Sequence, residues 1–461
     1  SSYLAYGGSL QVVRADDAGL QNSFVGVASS IKIKSLDHYE ELGYDENPIT
    51  DVVVAARSPG SWANGLRVGI IDAKADQIIT LSAANGIAVG FGVTQAISSV
   101  LPGAGSTSSL DGHLKGIVTE VNGTDVSVKV LEHVSAGSTI GVKVDYQPAG
   151  VYAFSGTGSV AIHTTGQANS YATTSVTAQK DWFDQQSLTL TSSTTVKWNQ
   201  LADRPGTSEY AAARGSRFDE VHVVVVDGDG DVTGNSGTIL EKHLALSKAK
   251  DAEFSLGSPQ YWRKFIANGS PNIFAGSQPA GIVTTGFISG TFNLESDVDW
   301  DQNAEGITFA ATGNSNNTLG IGSDYGGGND VSSPGSLTAG LSGLVSGYTL
   351  FENSEQYDVD FVLMGSAGYA KEDAQALANK CIAVAEVRKD AVAFISPYRG
   401  AAIADVGAGT DTVDDRAVTV NSAETTTENV ISFFAPVTSS SYAVFDSGYK
   451  YMFDRFANTF R

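Results

Sequence analysis

The stretch Tyr357–Pro397, YDVDFVLMGSAGYAKEDAQALANKCIAVAEVRKDAVAFISP, decides the reading of this 461-residue chain. Val359, Phe361, Val362, Leu363 and Met364 form a short apolar run that ends in Gly365-Ser366-Ala367-Gly368, as a buried strand and its turn do. From Lys371 the period changes. Ala374, Leu377, Ala378, Cys381, Ile382 and Ala385 recur at helical spacing, and Glu372, Asp373, Asn379, Glu386 and Arg388 take the opposite face. The acidic pair Glu372-Asp373 opens this helix and Arg388-Lys389 closes it, in accord with the helix dipole. Ala391–Ile395 is a second buried strand, stopped by Pro397. Strand, helix, strand of this length predicts a βαβ unit with a right-handed crossover. Most of the remaining chain reads as β and loop.

The length allows two to four domains at the usual ~100–200 residues each. Fifty-one glycines against 11 prolines point to many turns and short strands. The net charge of −22 argues against broad binding to nucleic acid or anionic lipid. A single cysteine, Cys381, excludes an internal disulfide framework, and its place on the apolar helix face makes it a core residue. There is no signal peptide at Ser1 and no transmembrane run. The nearest candidate, Ile78–Leu101, is interrupted by Asn85, Gln95 and several glycines and serines. Starting on Ser and ending directly after an aromatic run, the chain reads as a fragment of a longer protein, with both ends cut.

Taken in order, residues 1–15 read as a helix-like start and a strand Leu10–Val13. A helix is expected around Leu36–Leu42 and a strand at Val52–Ala55. A Pro/Gly-rich turn then leads into a strand ending at Val68. Residues 76–150 are poor in charge. Leu114–Val121 and Asp125–Leu131 alternate around Asn122-Gly123, a strong hairpin signal, with Val126, Val128 and Val130 expected inside and Ser127 and Lys129 outside. Residues 151–220 continue in β, with Trp182 and Trp198 as core anchors, and Val221–Val226 is an all-apolar strand. Residues 311–348 read as a long loop or boundary. Thr425–Phe434 reads as a helix with Thr at its N-cap, and Tyr442–Phe456 as a closing β/aromatic segment.

The sequence therefore predicts a multidomain α+β protein. A discontinuous α/β core domain takes residues 1–60 plus 345–461, a β-rich middle domain takes 61–75 plus 151–344, and a small β-barrel-like domain is inserted at 76–150 and projects farthest out.

Motifs that carry chemistry are sparse. Asp227, Asp229 and Asp231 resemble the start of a calcium loop, but its sixth and twelfth positions hold Val232 and Thr238 in place of Gly and Glu. A solvated turn is the plainer reading, with a weak cation site as the alternative. Gly156-Thr157-Gly158-Ser159-Val160-Ala161 fits a G-x-G-x-x-A pattern with no helix after it. The six histidines, His38, His113, His133, His163, His222 and His243, are scattered at no metal-ligand spacing. No catalytic residue, metal ligand or cofactor site is assigned, and nothing requires an enzyme.

Five segments resemble the tail sheath protein of contractile-tailed phages, of the T-even-like myovirus type. They are Tyr3–Ala15 (YLAYGGSLQVVRA), Ala56–Val68 (ARSPGSWANGLRV), Phe218–Lys242 (FDEVHVVVVDGDGDVTGNSGTILEK), Ala391–Arg399 (AVAFISPYR) and Tyr449–Arg461 (YKYMFDRFANTFR). The third is the most specific. In the second, Ser58 stands where the family has an aromatic, and Asn64-Gly65 reverses the usual order. The resemblance implies a structural virion protein without enzymatic activity. Copies would self-associate as hexameric rings and stack into a helical sheath around an inner tail tube, with baseplate and tail terminator proteins as further partners. Contraction would drive the tube through the host envelope for genome ejection, without direct contact to nucleic acid or insertion into membrane. The protein would be in the host cytoplasm during assembly and in the phage tail afterwards. Two other classes are weighed against it: a β-rich adhesin or surface-layer protein, and a hydrolase built on a hidden pair of carboxylates.

Overall fold

The computed structural model describes residues 10–16, 19–100, 109–135, 138, 141–144, 154, 158–164, 171–279, 298–324, 340–365, 371–402, 421–447, 453–454 and 459–460. The protein is mixed α+β and β-rich. The chain divides into two compact units, Gln21–Gly322 and Ser1–Leu20 with Ser323–Arg461.

The larger unit is organised by Glu220–Asp227. This strand lies inside a four-stranded antiparallel sheet, in the order Thr238–Ser247, Glu220–Asp227, Leu66–Asp72, Asn314–Thr318. Its run of valines follows from burial on both faces. Val221, Val223 and Val225 meet Trp262, Ile266, Ile273 and Trp300, while Val224 and Val226 meet Trp182, Phe183, Leu188 and Trp198. A smaller sheet of Phe24–Gly26, Val52–Ala56 and Ile273–Ala275 contributes Val54 and Ile273 to the first of these cores.

The second part of this unit is a closed six-stranded barrel. Its strands run Gln77–Leu81, Tyr171–Asp181, Gly158–His163, Gly92–Val100, Ser109–Asn122 and Asp125–Ser135, and the last pairs back to the first. Gly141–Lys143 adds a short strand on the outside of Asp125–Ser135. Ile79, Val93, Leu114, Val126, Val128, Val130, Phe154 and Ile162 fill the interior. Gly116 lies where the register shifts, and a Cβ there would sit 2.7 Å from the Lys129 carbonyl oxygen, so only glycine lets the two strands approach.

Several expectations are corrected. Residues 21–60 belong to the larger unit and not to the α/β part, because Val52–Ala56 pairs with Ile273–Ala275 more than 200 positions away. The barrel runs from Gln77 to Asp181, beyond the 76–150 expected, since Gly158–His163 and Tyr171–Asp181 complete its wall. Residues 10–13 form no strand, and the helix-like start at 1–9 lies outside the described residues. The stretch 311–348 does contain the expected boundary, at Gly322/Ser323, but it is no plain loop, since it carries a strand, Asn314–Thr318, and a helix, Leu341–Thr349. Lys129 points out of the barrel but is 1% exposed: its ammonium lies 4.4 Å from the Phe218 ring, at the contact between barrel and sheets. The last long helix is Ala423–Phe434, capped by Ser422 and not by Thr425, whose amide donates to the Ser422 hydroxyl.

In the smaller unit the strands Phe361–Leu363, Val392–Ile395 and Ala443–Phe445 form a parallel sheet, with Lys371–Arg388 and Ala423–Phe434 as successive crossover helices. Val362, Ala393 and Ile395 pack under Ala374, Leu377, Ala378, Cys381, Ile382, Ala385 and Phe433.

Candidate functional site

Among the described residues, the two crossover helices of the smaller unit's sheet cover the same face. Val362, Ala393 and Ile395 point at the helices. Register places Leu363, Phe394 and Val444 side by side on the opposite face, with Phe361 two residues before Leu363. These four are 55%, 37%, 45% and 50% exposed. Parallel sheets are ordinarily covered on both faces, because crossover helices lie on each side. Here both crossovers occupy one side. The rings of Phe361 and Phe394 meet edge to face at 5.6 Å, so the open face presents a preformed aromatic step.

A groove of about 670 Å³ runs along this face. Its lining includes residues 10–13 and 15, the helix Leu341–Thr349, the strand Phe361–Leu363, and Asp358 and Asp360. The Tyr348 hydroxyl donates to the Leu363 carbonyl at 2.7 Å, which ties the groove's helix to the end of the strand, and burial pushes this phenol well above its usual range. Arg388 lies on the inner side of the long helix, a correction to its expected solvent face. It pairs with Asp390 at 2.9 Å and donates to the carbonyls of Phe351 and Tyr357 at 2.9 Å each, fixing the chain that enters the first strand. Burial pushes the Cys381 thiol up to about 12, so it is a core thiol and not a reactive one. Among the described residues, no strand pairs with the outer edge of Phe361–Leu363 or of Ala443–Phe445.

The motifs singled out in the sequence lie elsewhere and do not converge. The Asp227 carboxylate accepts bonds from the amides of Gly230, Val232 and Thr233 at 3.0, 3.2 and 2.7 Å and from the Thr233 hydroxyl at 2.8 Å. Burial pushes its affinity for protons up, and the Thr233, Gly230 and Val232 hydrogen bonds outweigh this and hold it below the usual aspartate range. The carboxylate is thus used as a loop clamp. Among the described residues, no group of three His, Cys, Asp or Glu is placed to hold a metal ion. Asp227→Asn is expected to cost about 1–2 kcal/mol at neutral pH, since the amide group turns a donor towards donors. A depressed carboxylate stabilises the fold above its unfolded pKa and loses that contribution as pH falls through its folded pKa. The gap between wild type and variant in urea melts should therefore close below the ordinary aspartate range, and Ca²⁺ should leave both melts unmoved. Equal stability at neutral pH would remove the clamp.

His222 is buried, with Nδ1 accepting from the Ala245 amide and Nε2 donating to the Asp203 carbonyl, and burial lowers its pKa. His163 is buried 2.8 Å from the Thr94 hydroxyl, and His243 pairs with Glu241 at 2.6 Å. Gly158–Ala161 lies in the barrel strand Gly158–His163. The carboxylates with displaced proton affinities are Glu220, raised by burial, and Asp227 and Glu241, both lowered, and none of them lines the groove. The open face itself was not singled out in the sequence. Its signal was the alternation of Phe361 and Leu363 around Val362.

Among the described residues, no helix is long and apolar enough to cross a membrane. No protein-family model matches the chain, and no curated protein sequence matches it.

Proposed function

We propose that the chain is a structural subunit of a contractile phage tail sheath, in which copies associate as hexameric rings around a tail tube. The observation that carries this reading is the partly exposed apolar face of the parallel sheet in the smaller unit, whose two outer strands have, among the described residues, no further strand paired to them. An open edge with an apolar face is suited to docking another chain and is a liability on a protein that stays alone. The five sequence segments quoted above supply the family. In this reading the smaller unit is the polymerising α/β core, the sheets of the larger unit form the middle domain, and the barrel is the outer insertion. Asp358 and Asp360 in the lining of the groove suit a partner segment that is apolar and carries a basic residue. Head-to-tail contacts of this kind build open helices, and contraction exchanges one set of contacts for another between rigid bodies.

Negative-stain electron microscopy of the full-length natural protein at high concentration tests the proposal. Tubes or stacked rings of uniform width are expected. Monomers at every concentration and ionic strength would overturn it.

A further inference from the structure

At the contact between the barrel and the four-stranded sheet lies an ion pair with no access to water. Lys248 and Asp72 are both 0% exposed, and Lys248 Nζ is 3.1 Å from Asp72 Oδ2. The ammonium also donates to the Ala310 carbonyl at 2.9 Å and lies 5.0 Å from the centre of the Trp300 ring. The Asp72 carboxylate is gripped from the other side: the Gly313 amide donates to Oδ1 at 2.7 Å and the Thr312 amide to Oδ2 at 2.9 Å.

These are the parts of an acyl-transfer site. The amine is in direct contact with the carboxylate it would attack, its Nζ 3.1 Å from Oδ2. Two backbone amides are aimed at the oxygens on which charge develops when the carboxyl carbon becomes tetrahedral. Burial drives Lys248 towards the neutral, nucleophilic amine, against the opposing pull of Asp72. In water, condensation of an ammonium with a carboxylate is uphill because both ions are solvated. Here neither is solvated, so forming a neutral amide removes two buried charges.

We propose that Lys248 and Asp72 are joined by an isopeptide bond that the folded protein forms by itself. A proton passes from the Lys248 ammonium to the Asp72 carboxylate. The free amine attacks Cγ, the Nζ–Cγ bond forms, and the tetrahedral oxygens are held by the Gly313 and Thr312 amides. The Cγ–O bond then breaks, and that oxygen leaves as water with its own proton and one from the nitrogen. No oxidant, metal or cofactor enters. Asp72 ends the strand Leu66–Asp72 and Lys248 follows Thr238–Ser247, the two strands that flank Glu220–Asp227. The bond encloses the whole barrel insertion and closes its base. The inference is independent of the assembly reading.

The test is the intact mass of the purified, denatured protein, followed by peptide mapping. The wild type is expected to be lighter than its sequence mass by one water, with a branched peptide joining Asp72 and Lys248. Lys248→Arg and Asp72→Ala should each show their full sequence mass. Asp72→Asn should instead lose one ammonia. Lys115 and Glu132, an ion pair at 2.7 Å whose carboxylate side is 12% exposed, should map as unmodified residues. A wild type at full sequence mass, or a water loss that maps to any other residue, would overturn the proposal.

Discussion

Phe394→Asp combined with Leu363→Asp is expected to leave the protein folded and to abolish the self-association proposed above. The two side chains are direct partners across neighbouring strands, on the face opposite the two crossover helices. Fully burying a Phe or Leu contributes about 1.5–3 kcal/mol each. Each replacement removes that contribution and places an unpaired carboxylate in the contact, which costs several kcal/mol more if it stays charged. A total loss of about 4 kcal/mol or more weakens one contact by about a thousandfold. In the proposed ring every subunit would make the same contact, so the loss would recur at each junction. Folding should hardly change, because Phe394 is 37% and Leu363 55% exposed and the buried side of the sheet keeps Val362, Ala393 and Ile395. Sedimentation velocity and thermal melts on the same samples separate the two effects. Assembly at the wild-type concentration would show that this face is not a contact, and a collapsed melt would show that it belongs to the core.

The same face marks the limit of what the sequence could reveal. The run Phe361–Met364 was legible as a strand, since its apolar density and the change of period at Lys371 are local properties. Whether both faces of that strand are covered within one chain is not local, and an all-apolar run reads the same whether a helix or another subunit covers it. The hairpin at Asn122-Gly123 and the strand Val221–Val226 were legible for the same local reason. The end of the barrel was not. Tyr171–Asp181, YATTSVTAQKD, is dominated by Thr, Ser and charge, and it is a strand because it closes the wall beside Gln77–Leu81. Charged residues misled most. Lys129 and Arg388 were placed outward by type, yet each is buried where an aromatic ring or a set of carbonyls receives it. For Asp227 the turn was the plainer reading and a weak cation site the alternative, because a carboxylate near glycines serves backbone amides or a cation equally well, and the loop's geometry shows it bonded to amides.

Arg217→Ala should produce the largest loss of stability, because this side chain joins the barrel to the sheets. It is 5% exposed. Its Nη1 donates to the Leu131 carbonyl at 2.6 Å and to the Val144 carbonyl at 3.0 Å, both at the barrel, and its Nε donates to the Thr308 hydroxyl at 2.9 Å. Around it Ile117 and Leu131 of the barrel pack on Ala73 and Phe218. Truncation removes the charge and leaves buried acceptors without donors, for a cost of about 3–5 kcal/mol. Arg217→Lys should recover little of it. A lysine carries one compact ammonium, and a single nitrogen cannot serve three acceptors that a planar guanidinium reaches from different edges. In urea the alanine variant is expected to show an early transition in which the barrel parts from the sheets, and limited proteolysis should then cut near the base of the barrel while sparing the wild type. A single transition at the wild-type midpoint would mean that the apolar contact among Ala73, Ile117, Leu131 and Phe218 holds the barrel without the arginine. The expected split would mean that the barrel is held to the sheets by a polar clamp more than by its apolar contact.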